Sequence, residues 1–261
     1  MEIISESVEK GVVERRFDLS VEGEEVPGIL WTPEHRSGPT PVVLIGHGGT
    51  QHKRVPNVLA LARRFVRHAG YAAVAIDAPG HGARVTAQAA AEESRRNLER
   101  RIAGGASGPS VVQMSPEQAK QWVERTRRGV SEWKATIDAL EAEDGLIDGR
   151  IGYWGLSMGT AIGLRFVAAE PRVTAAVLGL AGLSARPGAE GFEQAARGLT
   201  LPVLFVFQWD DELMSRQSGL DLFEAIGSSD KAMHIHPGGH VQTPLYERDA
   251  YEAFFKRHLG G

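Results

Sequence analysis

The chain has 261 residues, 42% hydrophobic and 24% charged, which is enough length and apolar content for one globular domain over residues 1–261. Its 29 basic and 33 acidic residues give a net charge of −4, and no dense basic run suggests nucleic acid as a partner. No run approaches 18 apolar residues, and the acidic start is unlike a signal peptide, so we expect a soluble protein without membrane contact, cytoplasmic by default. Zero cysteines exclude disulfides, thiolate metal sites and a cysteine nucleophile.

The pattern along the chain predicts an α/β fold with a mostly parallel sheet of about eight strands. Residues 12–20 and 26–31 alternate as strands do and predict an antiparallel pair. Short apolar runs then alternate with helical stretches, which is typical of strands buried on both faces of a parallel sheet. These strands are predicted at residues 41–45, 71–76, 150–154, 173–180, 202–207 and 231–235. The helices between them are predicted at residues 55–68, 158–169, 215–226 and 244–258.

The longest interval between two predicted parallel strands is about 70 residues, more than one crossover helix needs. We interpret the excess as a helical cap inserted at about residues 84–143. Ser115, Pro116 and Gln118 form a helix-start pattern, and apolar residues follow it at helical spacing. Before this helix, an Ala-, Arg- and Glu-rich stretch is predicted to end in a glycine-rich loop at residues 103–109.

The clearest chemical signal is the sequence Gly-Leu-Ser-Met-Gly around Ser157, between a predicted strand and a predicted helix. A serine on so tight a turn needs glycine at Gly155 and Gly159, and the helix start stabilises negative charge that develops beside it. The pattern is a nucleophile elbow and predicts Ser157 as a nucleophile. The alternative is a glycine-rich turn with a serine that caps the helix.

A serine nucleophile needs a base and a carboxylate that orients the base. His240 lies in a Pro-Gly-Gly-His loop after one predicted strand, and Asp210 and Asp211 follow the strand before it. We favour Asp211 as the acid by its distance from the strand end and keep Asp210 as the alternative.

With these motifs, most of the chain resembles the α/β-hydrolase fold family, and within it the dienelactone-hydrolase-like and small carboxylesterase members. The order Ser, Asp, His is that of the family. Residues 46–50, Gly-His-Gly-Gly-Thr, are similar to its oxyanion loop, and residues 77–82, Asp-Ala-Pro-Gly-His-Gly, are similar to its Asp-x-Pro-Gly-His-Gly turn. The resemblance implies the α/β-hydrolase fold and roles for five residues: a triad of Ser157, Asp211 and His240, and an oxyanion hole from the NH groups of Gly49 and Met158.

Two positions depart from the family pattern. Gln208 stands three residues before the acid, where the family usually has glycine, and dienelactone hydrolases proper use a cysteine nucleophile. His47 and His81 are expected to support their turns by hydrogen bonding, and Trp122 and Trp133 to lie in the core.

We therefore expect a cofactor-independent serine hydrolase, a carboxylesterase acting on a small-molecule ester. Thioester cleavage, carbon–carbon bond hydrolysis and perhydrolysis use the same triad and stay open, as does a non-catalytic ligand-binding protein on this scaffold. The glycine-rich turn does not fit a dinucleotide fingerprint, because Gln51 stands where a glycine is required. The oligomeric state is open, with a homodimer as one option.

His234, His236 and His240 form a spacing that metal sites use, because alternate strand residues share a face. We expect no metal, because no nearby carboxylate or cysteine completes a ligand set in the sequence.

The predicted cap is positively charged, with nine basic and five acidic residues from Arg84 to Arg128. Arg84 is the arginine closest in sequence to the predicted catalytic edge, and we predict that it binds an anionic group of the substrate. The alternative is a solvated helix face on which Glu and Arg pair with one another.

Overall fold

A computed structural model describes residues 1–107, 115–183 and 188–260 of the chain. Within these residues one sheet contains nine strands: β1 (Glu2–Glu9), β2 (Val12–Val21), β3 (Glu24–Pro33), β4 (Thr40–Gly46), β5 (Ala72–Ile76), β6 (Ile147–Leu156), β7 (Val173–Gly179), β8 (Val203–Gln208) and β9 (Lys231–His236). Their order across the sheet is β1-β2-β3-β5-β4-β6-β7-β8-β9. In this order, the first three pairs, β1 with β2, β2 with β3 and β3 with β5, are antiparallel. The remaining five pairs, from β5 with β4 to β8 with β9, are parallel. The predicted antiparallel start and parallel remainder are confirmed.

Strand β1 was not predicted, and its position explains why. It pairs with β2 at the edge of the sheet, and every one of its residues is exposed. Its three apolar residues, Ile3, Ile4 and Val8, neither alternate regularly nor form a continuous run, so the pattern by which a strand is recognised is missing. Its edge is polar, with Glu6 accepting a hydrogen bond from Arg15 at 2.5 Å.

The helices cover both faces of the sheet. They are α1 (Pro56–Arg64), α2 (Ala87–Ser107), α3 (Pro116–Glu141), α4 (Met158–Ala168), α5 (Ala189–Arg197), α6 (Arg216–Ala225) and α7 (Glu247–Leu259). One apolar cluster joins the sheet to α3, α4, α5 and α6, and a second joins its other face to α1 and α7. The short helix α5 was not predicted, and α1 continues into a π-helical turn, Phe65–Ala69. No helix in the described parts of the chain is both long and apolar enough to cross a membrane.

The segment between β5 and β6 contains α2 and α3. Helix α3 begins with the predicted capping box, in which Ser115 Oγ accepts from the Gln118 NH at 3.2 Å and Gln118 Oε1 accepts from the Ser115 NH at 2.9 Å. Its second half packs into the core through Trp133, Ile137 and Leu140.

The loop predicted at residues 103–109 is wrong in its described part, because α2 continues to Ser107; residues 108 and 109 lie outside the described residues. A glycine is tolerated there for a tertiary reason. A side chain at Gly104 would overlap the carbonyl of Glu212, so glycine allows the helix to lie against that loop.

The parallel strands β4 to β9 bring their carboxyl ends to one edge of the sheet. The loops that leave this edge carry the predicted site residues, because a ligand site in an open α/β sheet forms outside the carboxyl ends of its strands.

Candidate active site

Ser157, His240 and Asp211 form one chain of hydrogen bonds. His240 Nε2 lies 2.9 Å from Ser157 Oγ, and His240 Nδ1 lies 2.7 Å from Asp211 Oδ2. The side chain of Asp211 is 0% exposed and that of His240 is 7% exposed, so little water competes for these contacts. With a proton on Nδ1 donated to the carboxylate, the lone pair of Nε2 faces the serine hydroxyl. The arrangement can remove a proton from Ser157.

Ser157 stands on a strained turn between β6 and α4. Its φ of 58° and ψ of −114° are unusual for a residue with a side chain. A side chain on Gly155 would come within 2.8 Å of the Gly159 backbone, and one on Gly159 within 2.5 Å of the Gly46 carbonyl oxygen. The expectation that both flanking positions must be glycine is confirmed by this packing.

Asp211, rather than Asp210, contacts the imidazole. Asp211 Oδ1 accepts from the NH groups of Leu213 and Met214 at 2.8 and 2.9 Å, which leaves Oδ2 for His240. Asp210 is exposed, and its Oδ2 accepts instead from the Gly238 NH at 3.1 Å. The two neighbouring carboxylates therefore contact the same loop at different points, Asp211 at the His240 imidazole and Asp210 at the Gly238 backbone.

Gly49 and Met158 border the cavity beside Ser157. Met158 is the first residue of α4, and a helix leaves the NH groups of its first turn without partners inside the helix. The β4–α1 turn is held by Gln51, whose Oε1 accepts from the Gly48 NH at 3.1 Å. Both residues therefore line the same cavity as Ser157.

His47 and His81 support the turns in which they lie. His47 Nδ1 donates to the Gly48 carbonyl at 2.8 Å, and its Nε2 accepts from the Ala78 NH at 3.0 Å. Burial lowers the pKa of His47 to about 4, so the ring is neutral and suits both bonds. His81 Nδ1 lies 3.1 Å from the Pro79 carbonyl oxygen, and burial also lowers its pKa. Their predicted supporting role agrees with these contacts.

A cavity of about 1540 Å³ opens over Ser157. Its walls come from the β4–α1 turn, from α2 and α3, from the segments around α5, and from the loop after β8 that carries Asp211 and Glu212, here called the acid loop. Trp122 lines it, which corrects the expectation that this side chain lies in the core, whereas Trp133 is 4% exposed and does lie there. Residues of α2 and α3 therefore form part of the wall above Ser157.

Arg84 does not line the cavity. Its Nη1 donates to Glu132 Oε2 at 2.8 Å and to the Asp77 carbonyl at 3.2 Å, and its side chain is 8% exposed. This position corrects the prediction that Arg84 binds a substrate anion. The reason is Glu132, 48 residues away, which only the fold brings to the guanidinium.

Most other arginines between residues 84 and 128 pair with glutamates, in agreement with the alternative of a solvated helix face with Glu–Arg pairs. Arg95 contacts Glu99, and Arg96 contacts Glu92 and Glu93. Arg125 of α3 and Arg165 of α4 differ: both line the cavity, and neither has a carboxylate partner in the described ranges. Arg165 donates instead to the Ala161 and Gly188 carbonyls, and the lining also includes carboxylates such as Glu190, so Arg125 is a local positive charge in a wall of mixed sign.

Glu212 is a residue that the sequence did not single out. Its Oε2 accepts from the His240 NH at 2.7 Å, and its Oε1 accepts from Arg101 Nε at 2.5 Å. Burial by itself raises the pKa of Glu212, but the bonds from Arg101 and His240 outweigh it and hold that pKa below its usual value. Glu212 thus joins α2 to the loop of His240. The only sequence signal is its place directly after Asp211.

His234 and His236 do not lie with His240. Both contact Glu247, which follows them by 13 and 11 residues. The expectation that no carboxylate completes a set with this pair is therefore wrong, because the chain returns after β9 and places Glu247, the first residue of α7, beside both histidines.

Comparisons with known proteins show the family and the fold of the chain. The chain matches the model of the dienelactone hydrolase family over residues 26–242. A PEG-bound cold-adapted esterase from an Arctic intertidal metagenomic library is 34% identical, with 98% of each chain covered and a TM-score of 0.79. A zinc-bound structure of a cold-adapted esterase from such a library is 32% identical, with 99% of this chain and 100% of that chain covered and a TM-score of 0.75.

Acetyl xylan esterase from Paenibacillus sp. R4 is 15% identical, with 99% of this chain and 88% of that chain covered and a TM-score of 0.72, and it supports the fold alone. None of the curated proteins compared with the chain matches it. The family model spans most of the sequence, and the sheet, the elbow and the helices agree with this family. The chain therefore belongs to the dienelactone hydrolase family and has the α/β-hydrolase fold.

Proposed function

We propose that this protein is a serine esterase that hydrolyses a small-molecule carboxylic ester through Ser157, His240 and Asp211. The proposal rests on one observation: His240 contacts Ser157 Oγ at 2.9 Å and a buried Asp211 at 2.7 Å. The esterase that is 34% identical over 98% of the chain supports an ester as the substrate class.

In the first half of the reaction, His240 Nε2 takes the proton of Ser157 as Oγ bonds to the ester carbonyl carbon. The carbonyl electron pair moves to its oxygen, and the NH groups of Gly49 and Met158 stabilise the resulting oxyanion. Asp211 remains ionised and stabilises the imidazolium. The imidazolium then gives its proton to the leaving alkoxide, an alcohol departs and the acyl-enzyme remains.

In the second half, a water molecule replaces the alcohol. His240 takes a proton from it, and the hydroxide attacks the acyl carbon in the same oxyanion environment. When the tetrahedral intermediate collapses, the bond to Ser157 Oγ breaks and the proton returns to Oγ. The products are a carboxylic acid and free enzyme.

The cavity indicates what kind of ester fits. A volume of about 1540 Å³ exceeds what an acetyl ester of a small alcohol needs. Arg125 lines the cavity without a carboxylate partner in the described residues and favours an anionic group at its own position, since arginine binds carboxylates and phosphates through paired hydrogen bonds. We therefore propose that the acid or alcohol part of the substrate is bulky and places an anionic group beside Arg125.

An active-serine probe together with a panel of p-nitrophenyl esters of increasing chain length tests the proposed function. A fluorophosphonate should label the protein once per chain, and Ser157→Ala should abolish labelling, whereas Ser7→Ala on the exposed strand β1 should not. A protein that merely binds ligands would not react. Thioesters and carbon–carbon substrates in the same panel distinguish the other reactions of this triad, and hydrolysis of esters by Ser157→Ala at the wild-type rate would contradict the mechanism.

A further inference from the structure

A second cluster of histidine and carboxylate lies at the outer strand of the parallel part of the sheet. His234 and His236 occupy alternate positions of β9, and Glu247 is the first residue of α7. His234 Nδ1 lies 2.6 Å from Glu247 Oε1, and His236 Nε2 lies 2.7 Å from Glu247 Oε2. None of the three belongs to the proposed triad, although His236 lies only four residues before His240.

The carboxylate of Glu247 is buried without a strong counter-charge. Glu247 is 2% exposed, and no lysine or arginine forms an ion pair with it in the described part of the chain. Burial of a carboxylate is costly unless a positive charge and hydrogen bonds compensate it. Both of its carboxylate oxygens face imidazole nitrogens, so a cation bound among the three side chains would compensate the buried charge.

The geometry suits a divalent transition-metal ion. One ligand atom from each of the three residues lies within 4.8 Å of the other two. Ligands that share a zinc ion bind it at about 2.0 to 2.2 Å and so lie about 3 to 4 Å apart, which small side-chain rotations achieve. The His234 side chain is 40% exposed, so it is free to rotate and leaves one side open to water. Two imidazole nitrogens and a carboxylate oxygen form a set that Zn²⁺ and its neighbours accept.

A further polar side chain lies beside the cluster. His236 Nδ1, the ring nitrogen that does not contact Glu247, lies 3.3 Å from the Tyr246 hydroxyl, so Tyr246 can hold this ring while Nε2 binds a metal. Gln208, the register partner of His236, is fully buried, and its amide has no hydrogen-bond partner within the described residues.

We propose that His234, His236 and Glu247 bind one divalent transition-metal ion, preferably Zn²⁺, which fastens α7 to β9. The ion would hold both ends of the segment that carries His240. The Trp209 NH, at the start of the acid loop, donates to the His236 carbonyl at 2.8 Å, so the ion also supports that loop. The site is structural, and it does not depend on ester hydrolysis.

Zinc binding to untagged protein tests this proposal. The protein is stripped with EDTA, dialysed and titrated with ZnCl₂ by calorimetry, and its Tm is measured with and without the ion. We expect one ion per chain and, at about 100 times Kd, a rise in Tm of about 5 °C. His234→Ala should weaken binding at least about tenfold. His35→Ala, at an exposed histidine between β3 and β4, is the matched control and should bind as the wild type does.

The choice of variant and one further measurement keep the test decisive. Glu247→Gln removes a buried charge and can lower stability by itself, so the exposed His234 is the primary site of substitution. Wild-type protein without saturable binding, or His234→Ala with wild-type affinity, overturns the proposal. Ester hydrolysis by the stripped wild type is measured in parallel and should persist, which separates failure of the metal site from failure of the triad.

Discussion

Two histidine–carboxylate clusters lie close together in the chain and differ in what the imidazole faces on its second side. His240 bridges buried Asp211 and Ser157 Oγ, and Ser157 opens into the large cavity. His234 and His236 share one carboxylate, that of Glu247, and neither lines the cavity. A short hydrogen bond between imidazole and carboxylate is therefore not enough to identify a catalytic base. What identifies His240 as the base is the serine hydroxyl on the other side of its ring, next to the cavity.

The two clusters should differ most in how much kcat falls when an imidazole is removed from each. His240→Ala should lower kcat by at least about 10⁴, because Ser157 then loses its base. His234→Ala in the second cluster should keep kcat within about threefold. Initial rates on a p-nitrophenyl ester, with circular dichroism as the check on folding, measure both. Equal losses would mean that the two clusters act together.

The acid of the triad is tested by neutralising each of two adjacent aspartates. Asp211→Asn should lower kcat by about 10⁴, because the amide favours the wrong tautomer of His240. Asp210→Asn should lower it less than about fivefold, since Asp210 is exposed and contacts the Gly238 NH. The steady-state rates of the two variants decide between them, and a larger loss in Asp210→Asn would reverse the assignment.

Glu212 extends the first cluster toward α2. Glu212→Gln should lower kcat about 50-fold with little change in KM, since the His240 NH loses a charged acceptor and the imidazole is positioned less well. Glu6→Gln, which removes a glutamate paired with Arg15 on the exposed strand β1, away from the cavity, is the control and should change neither constant. A proportional fall in Tm and kcat would point instead to a purely structural role.

His47 adds a third histidine, one with no carboxylate hydrogen bond. Its folded-state pKa is lowered from 6.5 to about 4 by burial, so the unfolded chain binds more protons between these values. Stability present at pH 7 is therefore lost as pH falls through 6.5 toward 4, by about 2 kcal/mol at pH 5. Urea unfolding at pH 7 and pH 5 should show this fall in the wild type and a smaller one in His47→Gln. Parallel pH dependence in both proteins would remove His47 as the cause.

The smallest effect is expected where arginines of the cap region are compared. Arg125→Gln should raise KM for an anionic ester about fivefold and leave a neutral ester unchanged, because Arg125 lines the cavity without a carboxylate partner. Arg84→Gln should instead lower Tm without changing the preference between esters, because its guanidinium is paired with Glu132. KM values for one matched pair of esters test both statements, and selectivity lost through Arg84 would restore the prediction made from the sequence.

Local chemistry was readable along the chain. Buried parallel strands have apolar runs, the elbow needs glycines on both sides of Ser157, and the capping box at Ser115 is a contact between residues three apart. Each of these depends on neighbours in sequence, so fold class and the candidate nucleophile followed from the residues. Strand β1 was not predicted, because an exposed edge strand has no apolar pattern. Residues 103–107 were predicted as a loop but are helical, because the glycine at Gly104 lets the helix contact the Glu212 carbonyl.

Pairings over long distances were decided by the tertiary structure alone. Arg84 resembled a ligand-binding arginine until Glu132 was placed beside it, and His234 and His236 lacked a carboxylate until α7 brought Glu247 to β9. Glu212 likewise had no signal apart from its neighbour Asp211. The physical reason is the same in all three cases. Whether a polar side chain can bind a ligand depends on which charged or hydrogen-bonding partner lies beside it in the low-dielectric interior. The packing of elements that are far apart in the chain determines that partner.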